Sequence, residues 1–155
     1  MRYGGWSSTA RTKAGNIAVC RRQLKEKPDA AISFEPASSI EAEPAAVYEA
    51  IFAMVVLRHG SLGPPGVTRC DHLIRFDEFA RAAEDFRRCL KPGGLLVNRH
   101  SNFRLCDAPA GTAFETILRV KNAETAKQTP IFGPHNLLMA GVEYPDTVFR
   151  KTEVA

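Results

Sequence analysis

Tyr48-Glu49-Ala50-Ile51-Phe52-Ala53-Met54-Val55-Val56-Leu57, together with Phe86-Arg87-Arg88-Cys89-Leu90-Lys91-Pro92-Gly93-Gly94-Leu95-Leu96-Val97, decides how this 155-residue chain is read. The first stretch is apolar from Ala50 to Leu57 without alternation. That pattern predicts a strand over 48–57 buried on both faces, as in the middle of a parallel sheet. Arg58-His59-Gly60 stops it, and Gly63-Pro64-Pro65-Gly66 is a loop. The second stretch closes an amphipathic helix. Phe79, Ala83, Phe86 and Leu90 recur at i, i+4, i+7 and i+11 and make one apolar stripe over 76–90. Asp77 is the expected N-cap. Arg81, Glu84, Asp85 and Arg88 cover the remaining face and form weak intrahelical pairs. Lys91 suits the helix C-terminus, and Pro92 and Gly93 forbid its continuation. Leu95-Leu96-Val97 then starts a second buried strand that runs to Arg99. Strand, helix and strand make a βαβ crossover with parallel strands.

Working outward, Asn16 caps a short helix to about Lys25, with Ile17, Cys20 and Leu24 on one face. Ala30 to Phe34 reads as a short strand ended by Glu35-Pro36, and residues 37–46 as a small, acidic loop. Met1 to Gly15 has no period and reads as a flexible basic tail. Towards the C-terminus, Ala113 to Val120 and Tyr144 to Thr152 are strand-like and antiparallel. Between them Asn122 to Thr129 is polar, and Phe132-Gly133-Pro134-His135-Asn136 is a turn.

Composition narrows the class. Apolar residues make up 45% and charged residues 25%, which suits one globular domain. The apolar run at 50–57 is far short of the roughly 20 residues of a membrane-spanning helix. Residues 1–14 carry no apolar core of a secretory signal. Cys20, Cys70, Cys89 and Cys106 stand apart and read as reduced thiols, so a cytoplasmic location is expected. The net charge is +4, and seven of the basic residues fall in 1–30. No aromatic-rich pattern accompanies them, so a solvated tail is expected rather than a nucleic-acid surface. Cys70-x-His72 with His59, His100 or Cys106 offers zinc-ligand types. Their spacing matches no closed zinc site, and no metal is expected.

The two opening stretches carry a resemblance. Tyr48 to His59 resembles the fourth strand of class I S-adenosylmethionine-dependent methyltransferases, patterned Y/F-D-x-I/V-x-x-x-x-V-L-x-H. Phe86 to Val97 resembles their next helix, L-K-P-G-G turn and fifth strand. The closing strands resemble the antiparallel hairpin at that sheet's end. The resemblance implies a partial Rossmann-like α/β domain over 16–152. It implies a family sheet order of 3-2-1-4-5-7-6. It also implies transfer of a methyl group from S-adenosylmethionine to a small molecule. The chain departs from the family in three places. No G-x-G-x-G loop follows a strand, the second strand's ribose-binding acid is not found, and Glu49 stands where the family has Asp. The expectation is therefore a truncated domain with its first strand missing and impaired cofactor binding. The edge of strand 48–57 would then be open to self-association or to a partner chain. The alternative is a non-catalytic subunit that pairs with a complete methyltransferase.

In open α/β sheets, ligands bind beyond the carboxyl ends of the strands. Given the resemblance, that rule selects His59 and His100 as candidate general bases toward a methyl-accepting oxygen or nitrogen. By the same resemblance Glu35, Ala37, Ser38 and Met54 are the expected contacts to the cofactor.

Overall fold

The computed structural model describes residues 2–3, 18, 22, 33–34, 37–54, 57, 68–70, 74–119, 130–144 and 146–152. The chain divides into two compact units, Met1–Glu43 and Pro44–Ala155.

The first unit contains β1 (Arg2–Tyr3) and β2 (Ser33–Phe34), paired in parallel, and a 3₁₀ helix over Ala37–Ala42. Two expectations change here. Arg2–Tyr3, read as tail, form a strand, and the acidic loop at 37–46 opens with a 3₁₀ helix. Main-chain pairing to a distant strand leaves no periodic trace in a two-residue segment, which is why the tail reading missed it. Ala18 and Arg22 are helical and exposed, within the stretch expected to be a helix.

The second unit is built on β3 (Tyr48–Met54), α1 (Phe76–Cys89), β4 (Leu90–Arg99), β5 (Phe114–Arg119) and β6 (Asp146–Lys151). The four strands form one mixed sheet in the order β3-β4-β6-β5. β3 and β4 are parallel, while β6 runs antiparallel to both β4 and β5. The α/β class, the parallel strand pair and the antiparallel closing pair agree with the sequence reading.

α1 buries Phe79, Ala82, Ala83, Phe86 and Cys89. Its N-cap is Arg75, not Asp77. The Glu78 carboxylate reaches back to accept the Arg75 N–H at 2.9 Å, and the Asn136 side chain accepts the Phe76 N–H at 2.6 Å. With these donors satisfied, Asp77 is left in the first turn, where its charge complements the helix N-terminus. At the other end, Ala46 N–H and Val47 N–H donate to the carbonyls of Arg88 and Cys89, both at 2.9 Å. The residues leading into β3 thus satisfy the last carbonyls of α1.

The Lys91-Pro92-Gly93-Gly94 segment is not a separate turn but a bulged entry to β4. Tyr48 pairs with Leu90, yet Ala50 pairs with Leu95. The extra residues loop out, with Gly93 at φ 72°. Gly94 admits no side chain, because a Cβ there would lie 2.8 Å from the Lys91 carbonyl oxygen and 3.2 Å from that of Glu49. Lys91 Nζ pairs with Glu49 Oε1 at 3.0 Å across the bulge.

The core lies between α1 and one face of the sheet. Ala53, Leu96 and Phe149 are buried there with Leu90. A ring cluster of Phe76, Phe79, Phe103 and Phe132, with centroids 5.3–6.2 Å apart, extends the core beyond β4. The expectation that β3 is buried on both faces fails. Phe52 is 53% and Met54 47% exposed. The run has no alternation in sequence, but α1 covers only the side that carries Ala53. Among the described residues β3 pairs with β4 alone and stands at the edge of this four-stranded sheet rather than in its middle. Among the described residues no helix is long and apolar enough to cross a membrane.

Candidate functional site

The carboxyl ends of the two parallel strands β3 and β4 lie side by side. Met54, the last residue of β3, is in register with Arg99, the last of β4. His100 follows immediately and is half-buried. It sits at φ 57°, a left-handed conformation that costs a side-chain-bearing residue energy. Of the six residues singled out from sequence, this unit brings together Met54 and His100. His59 and Glu35 lie outside the described residues. Ala37 and Ser38 belong to the 3₁₀ helix of the first unit.

The strand ends are braced by polar groups that the sequence reading passed over. Asn102 N–H donates to the Leu57 carbonyl at 3.2 Å, tying the segment after β4 to the one after β3. Its carbonyl accepts the Phe132 N–H at 2.8 Å, and its side-chain amide donates to the Pro130 carbonyl at 2.7 Å. The Ser101 hydroxyl donates to the Phe103 carbonyl at 2.8 Å and accepts the Phe103 N–H at 3.1 Å. Residues 130–142 are drawn against this ledge and against residues 68–70. Cys70 N–H donates to the Asn136 carbonyl at 2.9 Å, and Leu138 N–H to the Thr68 carbonyl at 2.7 Å. The Tyr144 hydroxyl accepts the Leu105 N–H at 2.9 Å. Asp107 accepts from Arg104 Nε at 2.8 Å and from its terminal nitrogen at 2.6 Å. That hydrogen-bonded pair, outweighing the opposing effect of burial, raises the Arg104 pKa.

One polar group in this region has no such bond. Asn98, on β4 two residues before His100, is 3% exposed, and its Oδ1 has no hydrogen-bond partner among the described residues. A buried acceptor left in that state costs about 1–3 kcal/mol. The signal in sequence is slight. Asn98 falls at i+2 from Leu96, on the inward face of an otherwise apolar strand.

These residues answer only part of what S-adenosylmethionine would require. Asn98, in register with the buried Ala53, and Met54, in register with Arg99 and exposed, lie on opposite faces of the sheet. Nothing in the sequence supplies the glycine loop that lets backbone approach the methionine portion. Among the described residues no three His, Cys, Asp or Glu side chains gather to hold a metal ion. The Cys70 thiol, one of the candidate ligand types, donates to the Ile74 carbonyl at 3.1 Å. Compared with family models, curated proteins and solved structures, the chain matches none.

Proposed function

We propose that the second unit is a methyltransferase-like domain of the class I S-adenosylmethionine-dependent type, ancestrally acting on a small-molecule methyl acceptor. One observation carries the reading. The strand order β3-β4-β6-β5, parallel once and then antiparallel twice, is the 4-5-7-6 order of the last four strands in that family's sheet. The L-K-P-G-G stretch, which opens β4 directly after α1, supports the same reading by its resemblance to the family's turn. His100, at the carboxyl end of β4, would take the proton from an acceptor oxygen or nitrogen. Because the glycine loop has no counterpart in this chain, cofactor affinity would be reduced.

The test is a calorimetric titration of the purified chain with S-adenosylmethionine and with S-adenosylhomocysteine. Micromolar binding, about −8 kcal/mol, is the expected result for a retained site. No binding by a folded sample would remove the enzyme reading for this chain alone.

A second reading is favoured by the open side of β3. Its exposed Phe52 and Met54, and the absence of a second strand neighbour among the described residues, suit a non-catalytic subunit that pairs through strand 48–57 with another chain or with itself. Sedimentation across a concentration series tests it. A strictly monomeric, cooperatively folding sample would discard self-pairing.

A further inference from the structure

We propose that Asn98 is a ligand-binding residue, whose Oδ1 accepts a hydrogen bond from an N–H or O–H donor of a small polar molecule bound at the carboxyl ends of β3 and β4. The proposal rests on the methyltransferase-like reading for its probe. It goes further by naming the contact atom and the chemistry that contact selects, a donor-bearing ligand rather than an anion.

Three observations converge on this position. The first is the uneven treatment of buried polar groups after β4. Ser101 and Asn102 are as deeply buried as Asn98, yet their side chains bond to the Phe103 and Pro130 backbone. Asn98 Oδ1 alone is left unmatched among the described buried side-chain atoms. Native proteins pair nearly all such groups, so an unmatched one calls for a cause. The second is place. Asn98 is in register with Ala53, close to the carboxyl ends of two parallel strands, where α/β sheets hold their ligands. The third is the neighbouring backbone. His100, two residues on, keeps its left-handed φ of 57°, and strain of that kind gathers at binding sites.

Asn98 also has an obvious apolar replacement. Leu90 and Leu96 are buried on the same strand, and leucine at 98 would continue their row with the same branching at Cγ, though with a larger side chain. A protein that keeps asparagine there forgoes stability for a contact made only when the ligand is bound.

The experiment compares wild type with Asn98→Leu and Asn98→Ala by thermal melting without ligand and by calorimetry with S-adenosylhomocysteine. Circular dichroism checks that each variant is folded. The expected result is a divergence in sign. Asn98→Leu melts about 2–4 °C higher than wild type, while both variants bind S-adenosylhomocysteine at least about tenfold more weakly. A merely structural asparagine would lose stability and affinity together. Loss of stability in both variants without weaker binding of S-adenosylhomocysteine would show that Asn98 serves the fold alone and would overturn the proposal. Wild-type binding with unchanged affinity in both variants would overturn it alone and leave the methyltransferase-like reading standing. Failure of folded wild type to bind would bring down that reading and this proposal with it.

Discussion

The two faces of the β3-β4-β6-β5 sheet are made from similar residues and meet different fates. On one face Ala53, Leu96 and Phe149 are almost wholly buried beside α1. On the other, Phe52 is in register with Val97, and Val148 with both Val97 and Leu118. There Phe52 and Leu118 remain about half exposed, at 53% and 50%. Hydrophobicity does not separate these sets; the presence of a covering helix does. Apolar surface stabilises the fold only where another element removes it from water. The open face therefore contributes little to stability.

The largest expected effect breaks the comparison directly. Phe79 is fully buried in α1 and touches the rings of Phe76 and Phe103. Phe79→Ala should cost about 3–5 kcal/mol, as large-to-small changes in a packed core do. Phe52→Ser on the open face should fall within about 0.5 kcal/mol of wild type. Urea denaturation of both variants reads the difference. Equal losses would mean that the open face is covered in solution, and would locate an interface on it.

Loop anchoring sharpens the comparison. Asn136 reaches α1 from 60 residues away in sequence and accepts the Phe76 N–H. Asn136→Ala removes that acceptor and places alanine at a φ of 59°. A loss of about 1–2 kcal/mol is expected. Asn136→Gly separates the two causes, since it keeps the backbone free but still lacks the acceptor. If both variants are as stable as wild type, the covered face does not depend on residues 130–142.

The contrast between the faces also explains what could be read from the sequence. The stripe of Phe79, Ala83 and Phe86 was legible because helical spacing encodes which side is buried. The parallel pairing of β3 and β4 was legible because a helix separates two apolar strands. The open face of β3 was not, since an uninterrupted run such as Ile51 to Leu57 gives the same pattern whether one side is covered or both. Long-range caps escape for a related reason. Asn136 sits in a turn that sequence identifies, but its partner is set only by folding, so Asp77 was the natural choice of cap. For the site, the rule of strand ends pointed to His100. Asn98 carries no motif, and only the missing partner of its buried oxygen distinguishes it.

The smallest expected effect comes from two neighbours on β6 that point to opposite faces. Arg150 lies on the open side and pairs with Glu115 at 3.2 Å, both half exposed. Lys151 turns to the covered side, is buried, and donates from Nζ to the Leu90 carbonyl at 2.7 Å. Burial, followed by the nearby Arg87 guanidinium, pushes the Lys151 pKa below its ordinary 10.5. Between that lowered value and 10.5, the folded chain binds fewer protons at Lys151 than the unfolded chain. Stability at this site must therefore rise with pH through the window, and the cost of holding the ammonium must be complete below it. Lys151→Arg keeps a charge that does not titrate in the range, so its stability should lack the rise. Urea midpoints of both proteins from about pH 8 to about pH 11 give the difference curve, in which shared tyrosine effects cancel. A wild-type advantage that grows with pH supports a cation confined against α1. A flat difference would mean that Lys151 is as well hydrated as Arg150, and that the covered face opens at its β6 end.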